Sequence, residues 1–205
     1  MGVSVLRRLL LPLALLAATT VLAGPGLVSP AQAHVERNPD PRWQFYTSDH
    51  HWYRSPWFRG QHQIMIGFGC NASPWYDHDR RCPGHEGFHH GIDVAMPCGT
   101  PLRAGIAGTV LSPTAPGTPG AAYGIHPFRI RIVSRSGVSR DVLIGHTRRV
   151  LVVPGQHVSV GQRIAYASDS GAPDGCHLHF EVRPAGGGYT TAVDPRRWLR
   201  LTAVG

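Results

Sequence analysis

The chain has 205 residues, twelve acidic and twenty basic side chains, every basic one an arginine, and a formal charge of +8. That length bounds a single domain with a sizeable core, and that charge favours polyanionic partners such as cell-wall polymers. No internal repeat or second domain is evident, and no run of arginines interleaved with aromatics points to nucleic acid.

Met1 to Ala33 reads as a secretory signal: Arg7 and Arg8, an apolar stretch from Leu9 to Ala23, and the small residues of Ala31-Gln32-Ala33. The apolar stretch is too short to span a bilayer comfortably, so no stable membrane insertion is expected after cleavage. The expected product is a secreted, monomeric protein beginning at His34, with 18 arginines against 12 acids. Four cysteines in an exported chain suggest two disulfides, with three pairings open.

Residues 34–60 carry Trp43, Phe45, Tyr46, Trp52, Tyr53, Trp57 and Phe58 with neither a helical nor a strand period. They predict an irregular arm that lays its rings on a main domain at 61–205. From there the signals are short strands: 63–68, 92–96, 101–111, 128–134, 140–146, 157–167 and 177–183. Ser134-Arg135-Ser136-Gly137 supplies a hairpin turn, and the Pro- and Gly-rich stretch 112–127 reads as a surface loop. No apolar stripe at helical spacing lasts three turns beyond residue 60. The fold class is all-β, with twisted antiparallel sheets.

Two metal-site patterns overlap at 85–93. His85-Glu86-Gly87-Phe88-His89 fits HExxH, which needs a helix to put both histidines on one face. Here Pro83, Gly84, Gly87 and Gly91 crowd that helix, each interior Gly costs ~1 kcal/mol relative to Ala, and the position of a third histidine is held by Ala95. His89-His90-Gly91-Ile92-Asp93 fits HxGxD instead. A straight strand would hold His89 and Asp93 roughly 13 Å apart, so the chain must bend, and Gly91 permits it. A third ligand comes from His177-Leu178-His179-Phe180-Glu181-Val182. Strand alternation puts His177, His179 and Glu181 on one face and Leu178, Phe180 and Val182 in the core. Glu181 reads equally as a partner that orients an imidazole or as a solvated carboxylate.

The segments FHHGIDVAMPCGTPLRAGIAGTV (88–110), LIGHT (143–147), VPGQHVSVGQRIAYA (153–167) and HLHFEV (177–182) together resemble the lysostaphin-type (LytM-like) zinc endopeptidases of peptidoglycan. The resemblance covers about 61–199. It implies that His89, Asp93 and His179 hold one Zn2+, that His146 and His177 form the catalytic pair, and that the sheet floors a narrow groove. It also implies a peptidoglycan peptide as substrate, with the cleaved bond not readable. A non-catalytic wall-binding or amidase-regulating module on the same fold is the alternative. The family's auxiliary tyrosine has no obvious counterpart here; Tyr76 is the nearest guess. If Asp93 and His179 meet on antiparallel strands, Cys98 approaches Cys176, which leaves Cys70 to pair with Cys82.

Overall fold

A computed structural model describes Met1, Gly2 and residues 39–205; the expected signal and its cleavage site lie outside these residues, Met1 and Gly2 apart. The chain separates into two units, Met1–Gln32 and Ala33–Gly205, and the second carries every strand found among the described residues. Among the described residues no helix is long and apolar enough to cross a membrane.

The strands run β1 (Trp52–Arg54), β2 (Ile64–Ile66), β3 (Gly69–Asn71), β4 (Gly87–His89), β5 (Ile92–Ala95), β6 (Pro101–Arg103) and β7 (Gly108–Val110). They continue as β8 (Phe128–Val133), β9 (Ser139–Gly145), β10 (Thr147–Arg148), β11 (His157–Val158), β12 (Arg163–Ala167), β13 (His177–Pro184) and β14 (Thr202–Val204). A single helical turn, α1 (Arg196–Leu199), precedes the last strand. Seven strands form one sheet in the order β11-β7-β8-β9-β13-β5-β2, and three form a second, β10-β12-β6. Every pairing among the described residues is antiparallel, as expected for an all-β chain.

The core joins the two sheets. Ile130, Ile132, Val142, Ile144, Phe180 and Val182 of the large sheet share one buried cluster with Leu102, Ile164 and Ala165 of the small one. These residues alternate along β8, β9 and β13 with Arg129, Arg131, Asp141, Glu181 and Arg183, so the opposite face of the large sheet is polar. Glu181, Asp141 and Arg183 are nonetheless buried there.

The sequence predicts single strands over 101–111 and 157–167, and the structure divides both. Each crosses from one sheet to the other: β6 to β7 around Gly105, and β11 to β12 through Gly161. Gly105 lies so close to Trp57 that a Cβ there would sit 2.5 Å from the indole Nε1. The chain therefore bends around a buried ring that the sequence places in the arm. A third crossing runs from β9 to β10 through His146. It has no glycine, and His146 itself takes the left-handed conformation at φ +50°, which costs a non-Gly residue on the order of 1 kcal/mol or more.

Residues 39–60 are mostly irregular, yet Trp57 and Phe58 belong to the core and Trp52–Arg54 pair with β14. Trp43 donates its indole N–H to the Cys176 carbonyl at 2.6 Å. The strand at 52–54 has no detectable alternation because both its rings are half-buried.

The disulfides are Cys70–Cys82 and Cys98–Cys176. Closing a loop of 78 residues removes about 4–5 kcal/mol of unfolded-state entropy in the chain-entropy model, against about 3 kcal/mol for the 12-residue loop. The double substitution C98S/C176S is therefore expected to lower the chemical denaturation midpoint more than C70S/C82S. Equal midpoints for the two variants would contradict this.

Candidate metal centre

The register between β5 and β13 pairs Asp93 with His179 directly. His179 Nδ1 lies 2.9 Å from Asp93 Oδ1. The third group arrives from β4, where His89 precedes a bend at 90–91. Its Nε2 is 3.2 Å from His179 Nδ1 and 3.4 Å from Asp93 Oδ2. One donor atom from each of the three residues falls within 4.8 Å of the others. All three side chains are buried, at 1%, 2% and 5% exposure for His89, Asp93 and His179.

The HExxH alternative has no helix to stand on. Gly87–His89 is a strand paired with Gly69–Asn71, and His85 is exposed. The bend between His89 and Asp93 is present, but the reason for Gly91 differs from the expected one. Its φ is not among the left-handed ones. Instead the His179 ring passes so close that a Cβ on Gly91 would meet Cε1 at 2.7 Å and Nε2 at 2.8 Å. The glycine makes room for an imidazole.

Each imidazole is oriented from behind. His89 Nδ1 donates to the Gly67 carbonyl at 3.0 Å, which leaves the Nε2 lone pair facing the cluster. His179 Nε2 lies 3.2 Å from Glu181 Oε2, so Glu181 orients the ring and is not the solvated carboxylate that the sequence equally allows. Arg183 Nε pairs with Glu181 in turn, and Arg183 Nη2 donates to the Tyr123 hydroxyl at 3.0 Å. Burial lowers the His179 pKa, but contacts with Asp93 and Glu181 outweigh it and hold the ring at about 9. Burial opposes the charge of Asp93 too; His89, His177 and His179 overcome it and keep Asp93 well below the usual carboxylate range.

His146 and His177 stand beside this cluster, with ring centroids 4.4 Å apart. His177 Nδ1 lies 3.0 Å from the Gly175 carbonyl and 3.6 Å from Asp174. Its Nε2 is 3.6 Å from Asp93 Oδ1 and, although enclosed, has no hydrogen-bond partner. A buried polar atom left in this state is rare and marks a place where a ligand completes the bonding. His146 Nδ1 donates to the Ser170 carbonyl at 2.8 Å, so its Nε2 lone pair is free. Burial, then the nearby His177, lower its pKa to about 3, which keeps the ring neutral. The strained backbone of His146 is pinned from both sides: its N–H donates to Tyr123, and its carbonyl accepts from Ser168 N–H at 2.8 Å and Oγ at 2.9 Å.

A cleft of about 340 Å³ opens over His89, His146 and His179, walled by Tyr76, Tyr123 and Tyr189. Tyr76 tilts over His89 with centroids 5.2 Å apart, and its hydroxyl is 3.5 Å from Asp93 Oδ2. Tyr123 turns an edge to His179 at 5.1 Å. Sequence reasoning misses Tyr123 because it lies in the Pro- and Gly-rich stretch whose composition signals a surface loop. That stretch is held against the sheet by buried guanidiniums: Arg129 donates to the carbonyls of Ala115 and Pro116, and Arg183 to that of Gly117. Asp174 escapes for the same reason, since its loop has no period.

Two imidazoles and a carboxylate converging in a buried pocket, with two further histidines alongside, define a candidate metallohydrolase on an antiparallel β scaffold. Residues 87–195 match the model of peptidase family M23, and the chain belongs to that family. Among curated relatives it is 33% identical over 119 residues to the lipoprotein NlpD/LppB homolog of Pseudomonas aeruginosa, covering 58% of this chain and 36% of that protein. It is 34% identical over 95 residues to the peptidoglycan DD-endopeptidase ShyA of Vibrio cholerae, covering 46% and 20%. The chain thus spans about a third or less of the length of these relatives. The solved structure of LytU aligns with a TM-score of 0.50 at 30% identity, over 69% of this chain and 86% of that one. The lysostaphin catalytic domain of Staphylococcus simulans shares the fold at TM-score 0.51 and 24% identity, over 68% and 92%.

The crowding at Gly91 gives a direct test. Gly91→Ala is expected to lower bound metal, measured by atomic absorption on purified protein, by at least tenfold. Gly188→Ala, where a Cβ meets nothing within 4 Å, is expected to leave it unchanged. Glu181→Gln, which removes a charge behind a ligand, is expected to weaken metal affinity by about 10–100-fold.

Proposed function

We propose that the chain is a zinc-dependent endopeptidase that cuts peptide bonds in peptidoglycan, with His89, Asp93 and His179 holding the ion. The observation that carries this reading is the convergence of His89 Nε2, Asp93 and His179 Nδ1 beside the partnerless Nε2 of His177. The residues fit zinc: imidazole nitrogens and a carboxylate are its usual ligands, and three protein ligands are the number that catalytic sites employ. When bound, zinc would polarise a substrate carbonyl and acidify a water.

The remaining work falls to the chain's own side chains. His146, whose Nδ1 is engaged by Ser170, faces the cleft with Nε2 and is assigned the role of accepting the proton of the attacking water. His177 has Asp174 3.6 Å from its Nδ1, which orients the ring; it is assigned the donor role towards the developing charge on the carbonyl oxygen. The tyrosines of the cleft walls exclude water and line the path of an extended peptide. Similarity to a relative called a peptidoglycan DD-endopeptidase supports the substrate class, and on this reading the protein acts outside the cell as a secreted, monomeric enzyme. The other reading is a non-catalytic wall-binding or amidase-regulating module on the same fold. The presence of all five histidine and aspartate positions weighs against it.

Zymography on purified peptidoglycan tests this function. Activity is expected to vanish with chelator and return with zinc. His89→Ala is expected to lose metal and activity together, His146→Ala to lose activity with metal retained, and Glu86→Gln to be nearly silent. Asp174→Asn is expected to reduce kcat at least tenfold with metal content unchanged. Cleavage that persists in His146→Ala, or absent cleavage by metal-loaded wild type, refutes the assignment.

A further inference from the structure

A second cleft, of about 420 Å³, lies at the far end of the large sheet. Its walls bring together Arg135 and Arg140 from the β8–β9 hairpin and Arg197, Trp198 and Arg200 from the α1 turn. Arg140 and His146 are six residues apart on β9 and its end, about 20 Å along extended chain. Arg140 also follows the alternation of Val142 and Ile144, not that of Asp141 and Leu143. The two clefts thus open on different faces and at different ends of the sheet.

The chemistry of this cleft is unbalanced. No carboxylate lines it, and none of its four guanidiniums forms an ion pair among the described residues. Arg131, by contrast, is paired with Asp141, and Arg183 with Glu181. Arg140 Nε is enclosed yet has no hydrogen-bond partner, a state that calls for an acceptor. Val133 and Val138 are 62% and 46% exposed beside it, and the half-buried Trp198 ring lies with Arg197 at its face, 5.7 Å from the centroid.

We infer that this cleft binds an anionic glycan of the cell wall. Guanidiniums match phosphate and carboxylate groups with paired N–H donors, and an indole flanked by valines accepts the C–H faces of sugar or alditol units. A single aromatic distinguishes it from a single-strand nucleic-acid site, which stacks successive bases on successive rings. The proposal rests on the reading of the protein as wall-directed, but it does not require catalysis. Binding there would hold the enzyme on the wall while the metal cleft engages peptide, a function that the catalytic residues do not supply.

The test is equilibrium binding of the full mature chain to four probes: polyglycerol phosphate, polygalacturonate, phosphatidylglycerol vesicles and a single-stranded DNA oligonucleotide. Binding to one or both glycan-type polymers is expected, weakening as salt rises, and the two polymers distinguish phosphate from carboxylate recognition. Arg140→Gln is expected to weaken it about tenfold, and Arg135→Gln/Arg197→Gln/Arg200→Gln further still. The thermal midpoint and the hydrolysis of a soluble peptide substrate are expected to stay at wild-type values. Wild-type affinity in the triple variant, no binding to either polymer, or tighter binding to vesicles or DNA overturns the proposal. Polymer binding by a wild type that cuts no peptidoglycan leaves this proposal standing and removes the catalytic one.

Discussion

The contact between His179 and Asp93 is the constraint on which the rest of the site depends. It is set by strand register, since the two residues face each other across β5 and β13. A slip of β13 by one residue would turn His179 into the apolar core and bring Leu178 or Phe180 to the polar face opposite Asp93. The same alternation that buries Leu178, Phe180 and Val182 between the sheets thus puts His177, His179 and Glu181 on the opposite, polar face, where His179 reaches the cleft. Packing free energy and ligand placement are specified by one pattern, and neither can change alone.

Behind that contact stands a buried polar layer that an apolar core would not tolerate. Glu181 faces His179 on one side and Arg183 on the other, and Asp141 accepts from Arg131 at 2.8 Å and 3.0 Å. Removing one member of such a network strands its partner, at a cost of about 3–5 kcal/mol. The network also extends outward. Arg129 and Arg183 reach the carbonyls of 115–117 and so fix the loop that carries Tyr123 against His179 of the candidate site. An irregular segment acquires a defined position because charged side chains of the sheet satisfy its backbone.

Much of this is legible in the residues. The alternation in 177–183 and the spacing of His89, Gly91 and Asp93 carry the strand assignment and the bend, and the structure brings those candidate ligands together. The disulfide pairing also follows from antiparallel strands. What stays hidden has physical causes. Strand crossings between sheets leave no mark on a period of two, so 101–111 and 157–167 read as single strands. Tyr123 and Asp174 reach the site from loops, where no periodicity tells which way a side chain points. Gly91 stands out in the sequence for its backbone freedom, whereas the imidazole that requires its missing Cβ lies 88 residues further on. Contacts between remote segments are invisible to local patterns.

The Cys98–Cys176 bridge has a consequence for when the site assembles. Cys98 follows the strand bearing Asp93 by three residues, and Cys176 immediately precedes His177. The covalent link therefore staples the strands of Asp93 and His179, two of the candidate ligands, at their shared end, with Asp40 and Trp43 hydrogen-bonded to Cys176. Wherever thiols are kept reduced, that staple is missing and the two strands are joined by their hydrogen-bond ladder and apolar packing without a covalent link. Oxidation thus decides when the two strands that carry Asp93 and His179 become covalently joined, so the redox state of the surroundings sets how firmly the candidate site is held.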